Sequence, residues 1–462
     1  MYPQVTSNED DVREVTSSFR LPCGRIVSNR LVKVATHDHI NAARIFGGPP
    51  TSAHFHLYSS WGTEAWGMII TGEVHVAPAH GPWGRHVIIS TNLNDANIAP
   101  FQRVASAIRG SECLKQSAGD HPAVAIMQLT HGGNLSGHSR GVLSGFFSGK
   151  KLEMCESELY EVVADFVRGA TDAVECGFDG IQLNASDGSL LAQFMSPKKN
   201  RRKDEYGQPL FLLRKIVNHI RSILPEDFVV GVKISLSDYR SSGVSDEQVV
   251  SQLCELTKSG GVDFIEIVAV DGNHQSDINS TGHEKLSGLA LRALQQQRTS
   301  KLPPPVIVLT NGFTTRSQMV STLNEQRAHL LGCRQYPVLE DTIHPLIPSQ
   351  QRSAHVSMIS GRQTEVPTQA LTTASGWLPE WTSMMYTWRR SAKHHQIADG
   401  KMCSINRNTL VALLEVYFDR HAKAMVTAVA VLLFCVLFLT SNKATICSSI
   451  SNIANNNYNL LL

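Results

Sequence analysis

Polar side chains that could do chemistry close the most apolar runs of this chain. Lys233 stands near the end of Val229–Ser235, VVGVKIS. A cation there needs a partner, because an unpaired buried charge is costly. A salt bridge within the protein or an anionic ligand would each supply one. Gln128 lies in Val124–Leu129 with His131 just beyond it, and a glutamine carries both a donor and an acceptor. Asn184, Asp187 and Ser189 follow the run Gly180–Leu183. Asn184 can donate through its amide, an ionised Asp187 can only accept, and Ser189 is a poor proton donor. Gly312 follows Val306–Thr310, and Arg334 follows His329–Cys333. A glycine N–H and a forked guanidinium suit a phosphate; two ordinary surface loops are the competing reading.

Such groups need a scaffold that gathers strand ends. Short β-rich runs recur at Leu31–Thr36, Met68–Thr71, Val124–Leu129, Gly180–Leu183, Val229–Ser235, Phe264–Val270, Val306–Thr310 and His329–Cys333. Several are nearly continuous Val, Ile and Leu, the pattern of parallel strands buried on both faces. Helical stretches such as Leu159–Cys176 and Leu210–Ile223 lie between them. The alternation predicts an α/β fold, a TIM (β/α)8 barrel. Catalytic groups of that fold sit at the C-terminal ends of the strands, and the loops after the last two strands commonly hold phosphate. A doubly wound sheet is the competitor, but no G-x-G-x-x-G fingerprint follows any run.

Composition narrows the class. The chain has 462 residues, 42% hydrophobic and 18% charged, an ordinary globular balance. Its net charge of +2 gives no reason to expect a nucleic-acid partner. Nine cysteines without C-x-x-C spacing read as reduced thiols in a cytosolic compartment, and no metal site is expected. The first twenty residues are polar and acidic, unlike a secretory signal. Ala424–Thr440 is uncharged and apolar, near the lower length limit for a spanning helix; a buried core helix is the alternative. Arg420 and Lys423 before it predict a C-terminal anchor with the barrel in the cytosol, most simply at the endoplasmic reticulum. The expected organisation is a polar arm (1–20), a barrel (21–362), an extension (363–423), a transmembrane helix (424–440) and a short tail (441–462).

The segment from Gly177 to Gly207, GFDGIQLNASDGSLLAQFMSPKKNRRKDEYG, resembles the central motif of the Old Yellow Enzyme family of FMN-dependent ene-reductases and NADH:flavin oxidoreductases. Leu190–Leu191, Gln193–Phe194, Ser196–Pro197, Asn200, Arg202 and Asp204–Gly207 match it. Asn184, Asp187 and Ser189 stand where the family carries a His, a His or Asn, and a Tyr. Further stretches are similar to family motifs: LPCGRIVSNRLVKVATHDH (Leu21–His39), WGMIITGE (Trp66–Glu73), MQLTHGGN (Met127–Asn134), VGVKIS (Val230–Ser235), VIVLTNGFTTR (Val306–Arg316) and LLGCRQYP (Leu330–Pro337).

The resemblance implies FMN as cofactor, NADH or NADPH as electron donor, and an unsaturated carbonyl or related small molecule as acceptor. By the same resemblance Ala35, Thr36, His37 and Gly72 lie against the flavin, and Gln128 hydrogen-bonds its pyrimidine ring. Lys233 faces the N1–C2=O region, where it would raise the reduction potential. Asn311, Gly312 and Arg334 fall at the phosphate, and His131 at the pocket edge. Asn184, Asp187 and Ser189 occupy the catalytic positions, yet a carboxylate at 187 would repel a developing enolate. Two other readings follow from that change: a catalytically impaired barrel kept as a membrane-tethered interaction module, or an enzyme whose substrate is an amine or cation.

Overall fold

Eight parallel strands close on themselves. They are β1 (Leu31–Lys33), β2 (Met68–His75), β3 (Val124–Thr130), β4 (Gly180–Ala185), β5 (Val229–Ser235), β6 (Phe264–Val268), β7 (Val306–Thr310) and β8 (Leu330–Cys333). Pairing of β8 with β1 seals the ring. All eight expected runs are in the wall, and closure excludes the open-sheet alternative. The computed structural model describes residues 9–36, 47–63, 66–77, 86–89, 94–110, 122–133, 154–258, 260–268, 280–296, 303–310, 313 and 316–333. Strand ends differ from expectation at the mouth: β1 stops at Lys33, and β2 continues to His75.

Alternate strand residues face opposite sides, and the two sides form separate apolar clusters. Ile181, Leu183, Val232, Ile265 and Leu309 face outward, under the helices. Val32, Ile70, Ile126, Val229, Phe264 and Val308 fill the base of the barrel. Gly231 is one of the inward positions of β5. A Cβ there would lie 2.1 Å from the Phe264 ring, so only glycine leaves room for that side chain.

The two expected helices are α1 (Glu156–Glu175) and, further along, α3 (Phe211–Ile223); between them lies the short α2 (Leu190–Met195). α1 buries Leu159, Val162, Val163, Phe166, Ala170 and Ala173, an apolar stripe at helical spacing. Its start is fixed by Glu158, whose carboxylate accepts the Cys155 N–H at 2.6 Å. α3 buries Leu212, Leu213, Ile216, Val217 and Ile220 in the same way. Within the polar arm, Glu9–Thr16 is helical. Phe19–Arg20 then pairs antiparallel with Ile26–Val27, and this hairpin places Leu21 and Val27 in the inner cluster at the barrel's base.

His329, at the foot of β8, ties this base together. Its Nδ1 accepts the Ile307 N–H at 3.1 Å, and its ring lies 5.5 Å from that of Phe19. Burial, aided by nearby Arg30, lowers its pKa to about 4. The folded state therefore keeps it neutral where the unfolded chain takes up a proton. Its contribution is complete above about pH 6.5 and is lost as pH falls toward 4. Asp172, pushed up to about 6 by burial, titrates in the same window with the opposite sign, so comparison with a variant is needed. Relative to His329→Asn, the wild type should lose on the order of 2 kcal/mol between about pH 6.5 and 4. Urea midpoints across that range measure it, and parallel pH profiles would contradict it.

Among the described residues no helix is long and apolar enough to cross a membrane. Ala424–Thr440, with everything after Cys333, lies outside the described residues.

Candidate active site

Toward the C-terminal mouth the inward positions change from apolar to polar. Gln128 and Thr130 on β3, Gln182 and Asn184 on β4, Lys233 and Ser235 on β5, Glu266 on β6 and Thr310 on β7 are each 4% exposed or less. Buried polar groups must find partners, and here they find one another. Gln128 Nε2 donates to Gln182 Oε1 at 2.7 Å, and Gln182 Nε2 donates to Glu266 Oε2 at 2.8 Å. Thr310 Oγ1 donates to Glu266 Oε1 at 2.9 Å.

A second cluster sits nearer the mouth. The pairing of β2 with β3 shifts between Ile70 and Glu73, so Glu73 stands opposite Gln128. Such a bulge re-aims side chains, and the Glu73 carboxylate accepts from Asn184 Nδ2 at 2.8 Å. The same amide donates to Thr130 Oγ1 at 3.3 Å. Asn184 Oδ1 accepts both the N–H and the hydroxyl of Ser186, at 3.1 and 2.8 Å. Every polar atom of the Asn184 side chain is thus engaged within the protein.

Asp187 and Gly188 have φ of 53° and 71°, and the Ser189 N–H donates to the Ser186 carbonyl at 3.0 Å. Two positive φ values define an I′-like turn, for which Asp-Gly is a favoured pair. The turn brings Asp187 Oδ2 to 3.0 Å from Ser186 Oγ and 3.4 Å from Lys233 Nζ. Ser189 looks the other way. Its hydroxyl donates to the Asn184 carbonyl at 2.8 Å and caps the first turn of α2, accepting the Ala192 N–H at 3.5 Å. It is a helix cap, with its proton committed to the backbone.

The remaining expected residues divide into two groups. His131 is buried; its Nδ1 accepts the Gly133 N–H at 3.0 Å and its carbonyl accepts the Leu190 N–H at 2.8 Å, which joins β3 to α2. Ala35 is buried just past β1, and the Thr36 hydroxyl accepts from Lys33 Nζ at 3.4 Å. The Gly72 N–H donates to the Tyr58 hydroxyl at 2.7 Å. His37, Asn311, Gly312 and Arg334 lie outside the described residues. Sequence reasoning missed Glu73, Thr130, Gln182, Glu266 and Thr310. For Gln182 and Glu266 the signal was a polar residue at an inward position of an apolar strand, as in IQLN and FIEIV.

The donor set fits a flavin. Lys233 has three ammonium hydrogens, and its described contact is the single one to Asp187. Gln128 donates downward to Gln182, and among the described residues nothing donates to its Oε1. A buried cation and an amide acceptor at one barrel mouth match a ring edge of alternating carbonyl and N–H groups that turns anionic on reduction. Among the described residues no group of three or more His, Cys, Asp or Glu could hold a metal.

A polar mouth on an eight-stranded parallel barrel defines the class as a TIM-barrel protein with a site at the strand ends. The sequence profile of the NADH:flavin oxidoreductase / NADH oxidase family matches residues 26–343, and the chain belongs to that family. An NADH-dependent flavin oxidoreductase of Hypocrea jecorina is 28% identical over 71% of this chain and 86% of its own length. An NADPH dehydrogenase of Listeria innocua is 30% identical over 48% of this chain and 63% of its own length. An N,N-dimethylglycine/sarcosine dehydrogenase of Chromohalobacter salexigens is 28% identical over 52% of this chain and 35% of its own length. A solved 2-naphthoyl-CoA reductase complex aligns with a TM-score of 0.59 at 15% identity, covering 73% of this chain and 53% of that one; it supports the fold.

Proposed function

We propose that the chain is an FMN-dependent NAD(P)H oxidoreductase acting on a small molecule at the barrel mouth. The observation that carries this is that Gln128 and Lys233 are both buried in the C-terminal halves of β3 and β5. Bound FMN would relay a hydride from NADH or NADPH to the acceptor. Gln128 would hold the pyrimidine edge and Lys233 its anionic side. Asn311, Gly312 and Arg334 would take the phosphate.

The acceptor differs from a simple enone. Asn184 has its amide hydrogens on Glu73 and Thr130, Ser189 has its proton on a carbonyl, and Asp187 offers a carboxylate. This set presents acceptors where a developing oxyanion needs donors. A second reading rests on the same carboxylates: a substrate that is cationic or rich in N–H groups, in line with the dimethylglycine/sarcosine dehydrogenase relative.

Anaerobic NADH or NADPH should bleach the flavin of the full-length protein within a catalytic timescale. A flavin that either nucleotide leaves oxidised would favour the non-catalytic interaction module. We further propose that Ala424–Thr440 anchors the barrel on the cytosolic side of a membrane. Alkaline carbonate should leave the protein in the membrane pellet, and its complete extraction would sink the anchor.

A further inference from the structure

Glu266 is fully buried at the centre of the barrel, and among the described residues no cation lies within ion-pair distance of it. A buried carboxylate without an ion pair is expensive. Only hydrogen bonds offset that cost here: Gln182 Nε2 on one oxygen and Thr310 Oγ1 on the other. The apolar layer beneath it, Val229, Phe264 and Val308, shows that this barrel fills inward positions with hydrocarbon when nothing else is required. Lys233 is the register neighbour of Glu266 on β5, yet its described ion pair is with Asp187 instead.

The carboxylate fixes a direction. Both Glu266 oxygens act as acceptors, one for Thr310 and one for Gln182, so Gln182 turns its NH₂ toward Glu266. Its carbonyl oxygen then points at Gln128 and demands a donor. Gln128 must answer with its own NH₂, at 2.7 Å, which leaves Oε1 for the mouth. A primary amide is otherwise free to flip, since its two ends are nearly the same size. Glu266 removes that freedom from two amides in series.

We propose that Glu266 is a positioning residue: through Gln182 it sets the polarity of Gln128, so that the site presents a carbonyl acceptor to the N3–H edge of the flavin. This rests on the flavin-binding reading above. Glu266 touches no ligand itself. Its role is to make the acceptor permanent, so that binding need not first flip a buried amide pair.

The test is FMN affinity of the full-length protein, read by flavin fluorescence on titrating apoprotein. Glu266→Gln supplies an amide that can donate or accept, so both relay polarities become accessible. FMN should bind about 5- to 50-fold more weakly, the equivalent of one compromised buried hydrogen bond. The swapped pair Glu266→Gln with Gln182→Glu should recover most of that affinity. Glu at 182 accepts from both neighbours and restores the direction of Gln128, which a merely structural role of Glu266 would not predict. Wild-type affinity in Glu266→Gln, or a swapped protein that binds no better than the single variant, would overturn the proposal. If the variants do not fold, wild-type protein loaded with FMN labelled with ¹⁵N at N3 decides. A slowly exchanging N3 proton supports an acceptor at Gln128, and a rapidly exchanging one contradicts it. Failure of the wild type to bind FMN would instead remove the flavin reading, a distinct result.

Discussion

Asn184→His, Asp187→Asn and Ser189→Tyr made together should raise the rate at which cyclohexenone reoxidises the reduced flavin by about 10²–10⁴-fold. The wild-type triplet is engaged with itself. The Asn184 amide serves Glu73 and Thr130, the Ser189 proton serves the Asn184 carbonyl, and Asp187 is a carboxylate beside Lys233. None has a donor aimed at a developing oxyanion. Histidine at 184 would lie beside the Glu73 carboxylate, which can orient its ring. Asparagine at 187 tolerates the positive φ as aspartate does and adds an N–H donor. Tyrosine at 189 supplies an acid but removes the cap of α2, at roughly 1 kcal/mol of stability. The single changes should each do less, because groups that act as a unit are not additive. Reduction of the flavin by NADH should change little, since that step develops no enolate. If stopped-flow mixing shows the wild type already turning over such enones at typical enzyme rates, about 1–10³ s⁻¹, this account of the triplet is wrong.

Lys233→Ala should weaken FMN binding by roughly 1.5–3 kcal/mol, about 10- to 150-fold, and lower the flavin's reduction potential. Two roles for this lysine make opposite predictions. As a structural ion pair it has little to offer: the contact to Asp187 is 3.4 Å long, and the Asp187 side chain is 29% exposed. Partly solvated pairs of that kind contribute about 1 kcal/mol or less, and flavin properties would not follow their loss. As a flavin contact it is buried, with ammonium hydrogens to spare, and favours the reduced, anionic ring. Equilibrium titration with FMN and a redox titration of the loaded variant separate the two. An unchanged potential would assign Lys233 to the scaffold.

The barrel was legible because its strands are buried on both faces. VVGVKIS and VIVLT read as strands with no help from tertiary context, and the outward and inward clusters explain why both faces must be apolar. Lys233 and Gln128 were legible for the opposite reason: each breaks such a run at the end where a TIM barrel works. Glu266 and Gln182 break their runs as well, in register with Lys233 and Gln128. Nothing local says whether a single buried carboxylate meets a lysine, a ligand or an amide. Only the closed ring shows that Gln182 reaches across β5 to Glu266. Glu73 was hidden for another reason. The bulge after Ile70 shifts the inward register by one, and a strict alternation places the side chain on the wrong face. Ser189 was read by its chemical type, whereas its place at the start of α2 gives its hydroxyl to the backbone.

Flavin content of the full-length protein tests the central claim most directly. Purified in detergent and then denatured, the chain should release FMN, identified by chromatography, at about one per polypeptide. Gln128 on β3 and Lys233 on β5, both buried toward the barrel mouth, are the reason to expect it. A colourless protein that excess FMN cannot reconstitute would contradict the account.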